Sequence, residues 1–242
     1  MKKEKRKILC KNSKKLSKKL YDFISHVPSV QEESMTEYLM WQWEILNKKV
    51  TFFKHLKLHT KTEESRSGAD FVLDLWILEE GKATPFIIQA KKIIDKYHKY
   101  CKESLNYNKK KPVKQYELLI KRARIENKIP LYMIYTRESR DESIYISDAF
   151  EIKKLAEKCS KKSGTKLSRK EILDISNNII DLFCPRPKKS MKKPKFIANT
   201  LYENYSMEFR DLDNDKYAYI YKYLTNGIVP EYNTDLLIVD LR

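Results

Sequence analysis

Glycine is scarce: the 242 residues hold four, Gly68, Gly81, Gly164 and Gly227, and none lies in a glycine-rich run. Loops that cradle nucleotide phosphates need such runs for close backbone approach, so nucleotide-driven chemistry is not expected. The four cysteines, Cys10, Cys101, Cys159 and Cys184, are widely spaced without a Cys-x-x-Cys pair, which argues for reduced thiols over a zinc site or a disulfide frame. No run of about 18 apolar residues occurs, and the basic start lacks the apolar segment of a secretory signal. A cytoplasmic protein that does not span a membrane is expected. Acid is the minority charge, 33 Asp and Glu against 50 Lys and Arg, leaving a formal net charge of +17. Polyanions, nucleic acid first among them, therefore lead the partner classes. A 41% hydrophobic and 12% aromatic content suffices for a sizeable core and excludes disorder throughout.

The charge is uneven. Residues 1–20 carry ten Lys and Arg against one Glu, which reads either as a basic N-terminal arm docking on phosphates or as a solvated helix start. From residue 31 to 46, Met35, Tyr38, Leu39, Trp41, Gln42, Ile45 and Leu46 recur at spacings of three and four, the pattern of an amphipathic helix with an acidic beginning. Residues 71–78 and 85–88 are short apolar runs around the turn signal Glu79-Glu80-Gly81-Lys82, and a strand or second short element is expected over 50–58. A helix over 114–127 and a buried strand over 130–135 follow. Further helices are expected over 148–161 and over 168–183, the second from a capping box of Ser168 with Glu171. Residues 185–195, with six basic residues and three prolines, read as an exposed connector. Strands are expected over 217–223 and 236–241. The architecture expected is α/β, a central four- or five-stranded mixed sheet flanked by helices. It divides into an arm over 1–20, a core over 21–150 and a C-terminal helical and strand extension over 151–242.

The chemistry concentrates around the turn. Folding residues 70–78 and 83–92 about Glu80 and Gly81 as a hairpin sets Asp70 opposite Lys91 or Ala90. Side chains alternate faces, so Asp70, Val72 and Asp74 share one face, while on the partner strand Gln89 and Lys91 share a face opposite Ile88 and Ala90. An acid, an amide and an amine gathered at strand ends are costly unless hydrogen-bonded, ion-paired or metal-bound. A carboxylate with a second oxygen ligand suits a hard cation such as Mg²⁺, and Lys91 is placed to orient a water or offset charge on a phosphate. A salt bridge across the hairpin would use Asp70 and Lys91 equally well.

These residues resemble the PD-(D/E)XK nuclease superfamily in the variant where glutamine replaces the second acid. Asp70 matches the first acidic position, and Gln89-Ala90-Lys91 is similar to the QxK form of Mrr-like restriction endonucleases. The chain also resembles a less characterised bacterial family with an early acidic helix, a Gly-Ala-Asp, a Gln-Ala-Lys, a Gln-bearing helix and a Pro-Leu-Tyr strand. Here those are Glu33, Gly68-Ala69-Asp70, Gln89-Ala90-Lys91, Gln115 and Pro130-Leu131-Tyr132, within residues 30–150. The resemblance implies a restriction-endonuclease-like fold and Mg²⁺-dependent endonuclease activity, with Mn²⁺ as a substitute. DNA rather than RNA is the implied substrate, with bacterial antiviral defence or genome maintenance as the setting and a homodimer as one way to cut both strands.

In that reading Asp70, Gln89, the backbone of Ala90 and Glu33 hold the metal, and Lys91 serves the attacking water. Because Gln89 is neutral, a further carboxylate is needed; Glu33 is preferred, with Glu37, Glu64 and Asp74 in reserve. Lys92, Lys96, Tyr97 and Lys99, followed by Tyr100 and Tyr107, interleave cations with aromatics and are expected to grip a phosphate backbone, with Gln115 in support. A solvated lysine-rich surface would look the same. The alternative is a nuclease-like fold that binds nucleic acid without cutting it.

Overall fold

The computed structural model describes residues 2–48, 53–57, 72–79, 81–94, 97–98, 114–160, 167–183, 207–213, 215–227 and 235–241. Its frame is the hairpin of β2 (Val72–Glu79) and β3 (Lys82–Lys92), whose antiparallel pairs run from Val72↔Gln89 to Glu79↔Lys82, the register counted from the turn. Gly81 turns the chain at φ 73°, a left-handed conformation that a Cβ would disfavour. From β3 the chain passes through helix α3 (Gln115–Glu126) to β5 (Ile129–Ser139), which runs parallel to β3. Parallel neighbours require such a crossover. Strand β6 (Glu142–Asp148) returns antiparallel to β5.

The sheet is wider than the four or five strands expected. Its order is β1-β10-β2-β3-β5-β6-β8, with β9 (Met207–Glu208) pairing β3 off this path. β1 spans Phe53–Lys57, β8 Asn177–Asn178 and β10 Asp235–Asp240, while β4 (Tyr97–His98) and β7 (Leu167–Ser168) form a separate ladder. β10 inserts between β1 and β2, parallel to β2. Residues 151–242 are thus not an extension laid on a finished core, because they supply one of its inner strands.

Both faces are covered. Helices α1 (Lys2–His26) and α2 (Glu32–Asn47) pack on Leu73, Leu75, Phe86, Ile88, Met133 and Tyr135. On the other face α3 and α4 (Ala149–Ser160) close over Ile87, Tyr132 and Ile134, and α7 (Ala218–Asn226) closes over Trp76, Leu236 and Ile238. A sheet covered on two sides buries every side chain of its inner strands, and β3 is buried from Ala83 to Lys91.

Residues 1–20 are not an arm. Lys2 to Leu20 belong to α1, where Leu9, Leu16, Leu20 and Ile24 are buried in the core beneath a lysine-rich exterior. Residues 217–223 are not a strand either: a 3₁₀ turn (Asp215–Tyr217) leads into α7, and Tyr219, Ile220 and Tyr223 are buried at helical spacing. The helix expected over 168–183 is interrupted. The Ser168 Oγ accepts from the Glu171 N–H at 3.2 Å and opens α5 (Arg169–Asp174) as the capping box requires. Ser176 and Asn178 then divert the chain through β8, and Asn178 Oδ1 accepts from the Ile180 N–H at 3.0 Å to start the short α6 (Ile180–Phe183). Cys159 is a free, buried thiol, whereas Cys10 is disulfide-bonded, which corrects the reduced reading for that residue. Among the described residues no helix is long and apolar enough to cross a membrane.

Asp148 joins β6 to α4, and its Oδ1 accepts from the Phe150 N–H at 2.6 Å. Burial pushes its carboxyl up to about 6 from 3.8, against that hydrogen bond. The folded state therefore binds the proton more tightly than the unfolded chain, and stability falls as pH rises from about 4 to about 6. Asp148→Asn keeps an acceptor for Phe150 and removes the titration. Urea denaturation at pH 7 should show it more stable than the parent by about 1–3 kcal/mol, with the advantage gone at pH 4; equal stabilities at both pH values would contradict this.

Candidate functional site

A lysine in a strand covered on both faces needs a reason, and Lys91 is 4% exposed. Its Nζ lies 3.5 Å from Glu32 Oε2, and the other oxygen of the same carboxylate accepts the Lys92 backbone N–H at 2.8 Å. Along β3 the N–H groups alternate sides. The Ile93 N–H goes to the Tyr135 carbonyl on β5 at 2.8 Å, so the Lys92 N–H faces the β2 side, past Val72. Glu32 thus caps the ladder beside the start of β2.

The start of α2 is held there by three further contacts. Lys92 Nζ donates to the Val30 carbonyl at 2.8 Å, Thr36 Oγ1 donates to the Glu32 carbonyl at 3.0 Å, and the Thr36 and Tyr135 hydroxyls meet at 2.8 Å. Tyr135 is the register partner of Lys92, so these bonds tie the helix start to the end of the β3–β5 pair. Burial raises the Tyr135 hydroxyl well above its ordinary pKa against the Thr36 hydrogen bond, and the Glu32 charge adds to the rise. It remains a neutral hydrogen-bonding group.

Gln89 shares the Lys91 face two residues back, opposite Val72 and beside Tyr132, and is 5% exposed. Ala90 points the other way into the core under α1 and α2, so only its backbone could meet a cation. Asp70, two positions before Val72 in sequence, lies outside the described residues, as do Glu64, Lys96 and Lys99. Tyr97 is placed by its backbone in β4, opposite Ser168, and Gln115 is the half-buried first residue of α3.

Three expectations change. The acid brought to Lys91 is Glu32, not Glu33. Met35, Thr36, Leu39, Met40 and Trp43 are the buried face of α2, and Glu32 continues that face one turn before Thr36, while Glu33 falls at its edge, in phase with the exposed Glu37. Counting back from that apolar stripe would have found it. Asp74 is no reserve ligand, because its Oδ2 accepts from Lys128 Nζ at 2.7 Å and from the Tyr219 hydroxyl at 3.2 Å in the interior. Lys92, expected to meet a phosphate backbone, turns one of its three ammonium donors back onto the Val30 carbonyl at the start of α2.

The donor set suits a hard cation in kind. It consists of oxygens: the Glu32 carboxylate, 28% exposed and open to water, and the Gln89 amide. Among the described residues no three His, Cys, Asp or Glu side chains gather as a metal group. No curated protein and no solved structure matches the chain. Over residues 9–240 the chain belongs to a family of unknown function (DUF6615).

Proposed function

We propose that the protein is a Mg²⁺-dependent endonuclease of the PD-(D/E)XK kind in its QxK form. The observation that carries this reading is the buried Lys91 paired with Glu32 at the end of β3, beside Gln89. The order of α2, hairpin, α3 and parallel β5 matches what the resemblance implies. Asp70, Glu32 and Gln89 would hold the metal, with Mn²⁺ as a substitute and the Ala90 carbonyl as a further donor. When bound, such an ion polarises a phosphodiester and lowers the pKa of a water.

The chain's own groups do the rest. Lys91 presents a fixed cation to charge developing on phosphoryl oxygens, from a site with little water to screen it. Glu32 positions that ammonium, and the Thr36, Tyr135 and Lys92 contacts position Glu32. DNA is the expected substrate, a cytoplasmic defence or maintenance role the expected setting, and a homodimer the expected way to cut two strands; all three rest on the resemblance. A supercoiled plasmid incubated with Mg²⁺ or Mn²⁺ should be nicked and then linearised, and EDTA should stop both. Because Gln89 is neutral where a second acid would strengthen the metal site, the rival reading is a binder that does not cut. Retarded plasmid without nicks at any metal concentration would decide for that rival.

A further inference from the structure

Helix α1 is amphipathic in an unusual way for a helix at the core. At about 100° per residue, Lys7, Lys11, Lys14, Lys15 and Lys18 fall within an arc of about 100°. All five are exposed. Leu9, Ser13, Leu16, Ser17, Leu20 and Ile24 are buried, on the opposite arc. Among the described residues the ion pairs on this stripe reduce to one, Lys18 with Asp141 at 3.1 Å, and both of its side chains are exposed. Such a pair is worth little and gives way readily. Among the described residues Lys7, Lys11, Lys14 and Lys15 form no ion pair, and like charges along a single helix face repel one another, a cost that an anionic partner removes.

We infer that this lysine stripe is a docking surface for the phosphate backbone of a nucleic acid. Lys7 to Lys18 spans about 16 Å at about 1.5 Å per residue. That is close to five nucleotide steps at about 3.4 Å per phosphate on one strand, so five lysines meet about five phosphates. Asp141, Glu142 and Asp181 share a cleft with Lys11, Lys14, Lys15 and Lys18, so the favourable path for a polyanion runs along the exposed lysine ridge and not into that cleft. An anionic membrane is the weaker partner, because the apolar side of α1 is already packed on the sheet and has nothing to insert. The stripe shares its class of partner with the nuclease reading, but not its site, and needs no cleavage to operate.

Binding of a labelled random-sequence duplex in EDTA, followed by fluorescence anisotropy across salt concentrations, tests this. The variant with Lys7, Lys11, Lys14 and Lys15 all changed to Gln should bind on the order of 10³-fold more weakly at 0.1 M salt, with the log–log salt slope smaller by about 3.6. A charge-matched control changes Lys121, Lys158, Lys170 and Lys222 to Gln, exposed residues on helices packed against the other face of the sheet. It should lose far less. Equal losses in the two variants would reduce the effect to net charge and overturn the inference, as would wild-type affinity in the stripe variant. Loss of binding to phosphatidylserine vesicles without loss of duplex binding would reassign the surface to a membrane. Stripe-dependent binding in a protein that never nicks DNA would end the nuclease reading and leave this one standing.

Discussion

Lys91→Met should lower the rate of plasmid cleavage on the order of 10³-fold, the usual consequence of removing one fixed donor from developing transition-state charge. Methionine fills a similar volume, and the Glu32 carboxylate left behind is 28% exposed and keeps its bond to the Lys92 N–H, so the fold should survive. Duplex binding in EDTA should be nearly unchanged. Glu32→Gln should also impair cleavage strongly. It keeps the shape, but it takes away the charge that holds Lys91 and the carboxylate proposed for the metal. Glu33→Gln should cut at the wild-type rate, because Glu33 lies at the edge of the buried face of α2, in phase with the exposed Glu37. The reverse ranking of the two glutamate variants would restore the assignment expected from sequence and remove Glu32 from the mechanism. Full activity in Lys91→Met would remove Lys91 from the chemistry altogether.

Lys128→Met should cost the fold about 3–5 kcal/mol at pH 7, the range seen when one partner of a buried ion pair is removed. Lys128 and Asp74 are both nearly inaccessible and meet at 2.7 Å, and Lys128 also reaches Glu126 Oε2 at 2.8 Å. Burial raises the Asp74 carboxyl above its ordinary pKa while Lys128 pulls it back down. Burial also lifts Glu126, but there Lys128 and Arg122 prevail and its pKa falls below the usual value. Without Lys128 the Asp74 pKa rises further, so the folded protein takes up a proton that the unfolded chain does not. The penalty should therefore shrink as pH falls from 7 towards 5. Adding Asp74→Asn should recover part of it at pH 7. A cost below about 1 kcal/mol, or one that ignores pH, would show that the ion pair does not carry this corner. The same group anchors the C-terminal segment, since Tyr219 donates to Asp74 and accepts from Trp76 Nε1 at 3.1 Å. The damage should spread to α7, measurable as faster amide exchange at Tyr219 to Tyr223.

The hairpin about Gly81, helices α2 and α3, strand β5 and the Ser168–Glu171 cap were all legible in the sequence, because each rests on turn chemistry or apolar spacing within a dozen residues. So was the pairing of Gln89 and Lys91 on one face of a strand, which needs only the two-residue period of β structure. The choice between Glu32 and Glu33 lay at the edge of that reach. Only the phase of the buried stripe of α2 separates neighbours, and only its docking on β3 brings the carboxylate to the N–H of Lys92, sixty positions away. Tertiary structure alone decided the rest. A C-terminal strand enters the sheet between β1 and β2, a lysine-rich N-terminal helix buries its leucines against the sheet, and Asp74 meets Lys128 and Tyr219, 54 and 145 positions distant. Local patterns record how each segment folds and which side it hides. They carry no record of which hidden sides meet, because that is settled by the burial and charge pairing of residues far apart in the chain.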